Sequence, residues 1–91
     1  MKYRIQLSKE ADKVVAKIKK SNPIAFKKYA ALLNELGEHP RTGRGHPHPL
    51  VAGNDITYSR HLSANDRIIY DIYDDIVMVM ILSIEGHYND K

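Results

Sequence analysis

The 91-residue chain predicts a single α+β domain, in which an N-terminal strand and an antiparallel helical hairpin pack on a curved antiparallel sheet in the order β-α-α-β-β-β. Three observations predict it. Apolar residues recur at helical spacing between positions 14 and 36. They alternate or run together at strand spacing between 56 and 84. A stretch rich in Gly, Pro, His and Arg separates the two patterns. The length fits one core, and no repeat, linker or low-complexity tract divides it, so residues 1–91 form one domain.

Each element follows from local chemistry. Lys2 to Leu7 predicts a short strand with Tyr3, Ile5 and Leu7 on one side. Ser8 is placed to cap a helix whose first turn holds Glu10 and Asp12, where the helix dipole favours acid. Val14, Val15 and Ile18 form its apolar stripe, and the pattern fades near Ser21. Asn22-Pro23 restarts a helix, because Asn caps and proline at the first position gives up no needed N–H. Phe26, Tyr29, Ala30, Leu33 and Leu36 make the second stripe, and Gly37 with Pro40 predicts its end. From His39 to Gly53 the expectation is an irregular loop. Three strands are expected after it: Ile56 to Leu62, Arg67 to Tyr73, and Ile76 to Ile84. The unbroken apolar character of the last suggests burial on both faces.

Composition narrows the class further. The chain has no cysteine, so a disulfide framework and a thiolate metal site are excluded. The start lacks an apolar leader, and the longest apolar run falls far short of the roughly 18 residues of a membrane span. A cytoplasmic protein without a membrane partner is the expectation. Fourteen Lys and Arg against eleven Asp and Glu give a net charge of +3, compatible with a polyanionic partner without requiring one.

Four strings then resemble a known family. Gly43-Arg44-Gly45-His46-Pro47-His48-Pro49-Leu50 is similar to the G-x-G-x-P-E-P-L loop of YoeB-type toxins of the RelE superfamily. Tyr58-Ser59-Arg60-His61-Leu62 resembles their (W/Y)-S-R-R-I strand, and Asp66 to Ile72 resembles H-R-L-V-Y-x-(I/V). His87-Tyr88 resembles their closing H-Y pair. Each string alone is weak, whereas four in order are specific. The resemblance implies a microbial-RNase-like fold and metal-independent cleavage of mRNA, usually in the ribosomal A site. It also implies a cognate antitoxin that folds over the toxin. No cofactor is implied. Both a homodimer and a toxin–antitoxin hetero-oligomer remain open.

Cutting RNA without a metal uses the ribose 2′-OH as nucleophile, and needs a base, cations for the phosphorane and an acid for the leaving 5′-oxygen. The resemblance assigns those roles to His48, Arg67, His87 and Tyr88, with Arg44, His46, Arg60 and His61 at the RNA phosphates. Plainer readings stand beside each. Arg67 could pair with Asp66 or Asp71, Arg60 could sit on a solvated strand, His87 could be a surface histidine, and Tyr88 could cap a sheet edge. His48 replaces the family's glutamate, the base there, and with His87 would make a base–acid histidine pair; His46 is the substitute should His48 face solvent. His61 replaces the second arginine of S-R-R, and strand alternation sends His61 and Arg60 to opposite faces. Val51 stands where a lysine often follows. A zinc site built from His46 and His48 with His61 or His87 is a minor alternative. The rival functions are a non-catalytic or weakened RNA or ribosome binder and a gyrase-directed, ParE-like toxin; Arg67 and His87-Tyr88 argue against the latter.

Overall fold

The computed structural model describes residues 2–43, 47–50, 55–61 and 66–85. Strand β1 (Arg4–Leu7) leads into α1 (Lys9–Ser21) and α2 (Pro23–Glu38). These are followed by β2 (His48–Pro49), β3 (Thr57–His61), β4 (Arg67–Tyr73), a 3₁₀ turn (Asp74–Ile76) and β5 (Met78–Glu85). The predicted α+β arrangement is found, with both helices on one face of a five-stranded sheet ordered β1-β5-β4-β3-β2.

The caps explain where the helices begin. Ser8 Oγ accepts from the Ala11 amide at 3.1 Å and donates to the Leu82 carbonyl at 2.8 Å, so one hydroxyl starts α1 and ties it to β5. Asn22 Oδ1 accepts from the Ala25 amide at 3.2 Å, with Pro23 at the first helical position. Ala11, Val14 and Ile18 of α1 and Tyr29, Leu32 and Leu36 of α2 pack on Ile68, Tyr70, Ile72, Val79, Ile81 and Ile84. Burying side chains of this size stabilises the fold by roughly 1.5–3 kcal/mol each before entropy is counted.

Four expectations need correction. Gly37 lies inside α2, which runs on to Glu38. Its role is close approach: the Tyr3 amide donates to the Gly37 carbonyl at 2.6 Å, and a Cβ at Gly37 would stand 3.1 Å from the Tyr3 carbonyl oxygen. The sheet is mixed, because β1 runs parallel to β5 with Arg4 opposite Met78, whereas the other pairs are antiparallel. The loop after α2 contains a strand, β2, which pairs with β3. Finally, β5 is buried chiefly on one face: Val79, Ile81 and Ile84 are buried and the residues between them only partly. A one-residue bulge at Leu82 shifts the alternation there. The turn before β5 places Val77 in the left-handed region, at φ 51°.

Candidate active site

The segment after α2 is fixed from below. Arg60 lies on the helix side of β3 with no exposed surface. Its Nη2 donates to the carbonyls of His39 and Thr42, each at 2.7 Å, and its guanidinium lies 5.9 Å from the Tyr70 ring centre. The Tyr70 hydroxyl donates to the Pro40 carbonyl at 2.8 Å. Arg41 forks onto Asp74 at 3.0 and 3.1 Å and meets Asp55 at 3.2 Å. Tyr3 donates to Asp74 at 2.5 Å and Tyr58 to Asp55 at 2.6 Å. Hydrogen bonds from Arg41 and then Tyr3 hold the Asp74 carboxyl below the usual carboxylate range. The Tyr58 hydroxyl, and Arg41 after it, do the same for Asp55.

From that anchorage β2 reaches the sheet edge, and register decides what meets there. His48 stands opposite Ser59, and on the same face His61 stands opposite Arg67, which stands opposite Glu85. This is the face away from the helices, since the alternate residues Tyr58, Ile68 and Ile84 are in the core. The His48 and His61 rings are 6.5 Å apart between centres and tilted at 45°. Arg67 Nε donates to Glu85 Oε1 at 3.1 Å, with the two side chains 42% and 49% exposed. Ser59 lies between these groups, fully buried, and its hydroxyl has no hydrogen-bond partner among the described residues.

The candidates therefore separate. His48, His61 and Arg67 come together on the open face. Arg60, expected at a phosphate, is placed on the other side of β3 and holds the chain leading to β2, because side chains one residue apart on a strand point to opposite faces. Arg67 pairs with Glu85 in place of Asp66 or Asp71. Arg44, His46, His87 and Tyr88 lie outside the described residues, as does Val51, so the zinc alternative, which needs His46, lies there in part. Two residues of the candidate site escaped the sequence: Glu85 lies one residue past the expected strand end at Ile84, and Ser59 had no signal beyond its place in Tyr58-Ser59-Arg60. An open groove lined by Tyr3, Ile5, Leu33 and Ile76 lies by β1, at the other edge of the sheet. Among the described residues, no helix is long and apolar enough to cross a membrane.

Known proteins share this fold. The model of the YoeB-like toxins of bacterial type II toxin–antitoxin systems matches residues 7–88. A YoeB/ParE toxin from Agrobacterium tumefaciens is similar in structure with a TM-score of 0.81 at 18% identity, covering 93% of this chain and 99% of its own. The Staphylococcus aureus YoeB dimer gives 0.79 at 24% identity, covering 97% and 100%. A chain of the archaeal RelE–RelB complex from Pyrococcus horikoshii OT3 gives 0.75 at 18% identity, covering 99% and 100%. A search of curated proteins found no match. With the matched family spanning nearly the whole chain, its strings in order and its fold in place, this protein belongs to the YoeB-like toxins of bacterial type II toxin–antitoxin systems.

Proposed function

We propose that the chain is a metal-independent endoribonuclease that cuts mRNA at the ribosomal A site. The observation that carries this is the meeting of His48, His61 and Arg67 on one solvent-facing side of the sheet. In this reading neutral His48 takes the proton of the 2′-OH as O2′ bonds to phosphorus. Arg67 and His61 stabilise the charge on the phosphorane oxygens, and His87 gives a proton to the leaving O5′. The products are a 2′,3′-cyclic phosphate and a free 5′-hydroxyl. Tyr88 stacks on a base or holds a phosphate, and Arg44 and His46 bind the RNA strand. In the cytoplasm, such an enzyme needs restraint. Solved relatives are complexes of YoeB with YefM and of RelE with RelB. We assign this chain a cognate antitoxin, acidic where it covers Arg44 and Arg67.

The test is cleavage of mRNA on programmed ribosomes in excess chelator. Arg67→Ala should slow cutting by about 10²–10³-fold. His48→Gln and His87→Gln should each slow it by about 10²–10⁴-fold. Retained cutting in His48→Gln would move the base to His46. A folded wild-type chain that binds ribosomes and cuts nothing would establish the second reading, a binder. That reading is favoured by one observation, the histidine where the resembling loops carry glutamate.

A further inference from the structure

The Arg67–Glu85 pair contributes little to stability, because both members are about half exposed and water screens them. A carboxylate also opposes phosphate binding on a face meant for a polyanion. Its placement nonetheless has a use. Arginine carries five donors in a planar fork on a long, rotatable stem. Glu85 engages Nε, and among the described residues Arg67 has no other partner, so its terminal nitrogens stay available for a second acceptor. The register sets Glu85 on β5 and His61 on β3, on either side of Arg67 in one cross-strand row.

We propose that Glu85 is a positioning residue, which holds the Arg67 guanidinium by Nε so that its terminal nitrogens meet the scissile phosphate. The proposal rests on the nuclease reading above. It separates two quantities that a structural role would move together. Removing the negative charge tightens RNA binding, while loosening Arg67 slows the chemical step, since small losses of alignment are costly in rate. Glu85→Gln is isosteric and on the surface, so the chain keeps its fold.

The experiment measures affinity for ribosomes programmed with mRNA carrying 2′-deoxynucleotides in the A-site codon, and single-turnover cutting of the all-ribose mRNA. Glu85→Gln should tighten binding about threefold, as expected for one like charge removed near the phosphates, and slow cutting about tenfold. In an Arg67→Ala background it should change the cutting rate by less than about twofold, because Glu85 then has nothing to hold. A rate that is unchanged or raised in Glu85→Gln would overturn the proposal, as would an equal fall in both backgrounds. Wild-type binding without cutting would sink the nuclease reading, and Glu85 would then have no chemical step to serve. Cutting by wild type with no loss in Glu85→Gln would overturn the positioning role alone.

Discussion

Arg60 gives the sharpest contrast between a phosphate ligand and a structural clasp. Replacing it with methionine keeps most of the volume and removes the charge. Two hydrogen bonds from a charged donor to carbonyls are lost, at 2.7 Å each, worth about 1.5–3 kcal/mol apiece. The ion pair with Glu35 at 3.7 Å is lost as well, and relief of a buried cation returns part of the total. The net loss should be about 3 kcal/mol, which for a chain of 91 residues lowers Tm by roughly 12–24 °C at about 4–8 °C per kcal/mol. Arg60→Lys keeps the charge but not the fork, and should lose about half as much. Thermal unfolding followed by circular dichroism measures both. A ligand on the surface would behave in the opposite way, with stability changed by less than about 0.5 kcal/mol and RNA affinity reduced. An Arg60→Met protein that melts with the wild type but binds RNA several-fold more weakly would refute the clasp.

Three further outcomes follow from the same structure. The Asp74 and Asp55 carboxyls are held below their unfolded values, so their stabilisation is present above about pH 4 and lost as pH falls through the lower folded values. Denaturation midpoints should drop as pH falls below about 4, and drop less in Asp74→Asn; parallel curves would contradict the assignment. The Tyr29 hydroxyl is buried without a partner among the described residues, and burial pushes its pKa up. Tyr29→Phe should raise stability by about 1 kcal/mol and weaken the loss of stability seen above about pH 10; a destabilised variant would reveal a partner for the hydroxyl. Val77→Gly should stabilise by about 0.5–1 kcal/mol, because a β-branched residue at φ 51° is strained and glycine is not; a lower urea midpoint would count against that strain.

Sequence alone determined the elements whose causes are local. Ser8, Asn22 and Pro23 announce the two helix starts, because caps and proline act within a single turn. The apolar periods identify Val14, Ile18, Tyr29 and Leu36 as core, since burial follows spacing, but Ala30 of the expected stripe is exposed and Leu32, outside it, is buried. Arg67 and His48 were legible as candidate site residues only through their strings. Tertiary structure decided the rest. Whether β1 runs parallel to β5, whether His48 enters a strand, and why Gly37 must lack a side chain all depend on segments far apart in the chain. The same holds for charge. Arg60 and Arg67 look alike in sequence, yet strand alternation buries one beneath the chain leading to β2 and turns the other to solvent. Only cross-strand register brings Glu85 and His61 to flank Arg67, because residues meet across a sheet by pairing, which the order of letters does not state.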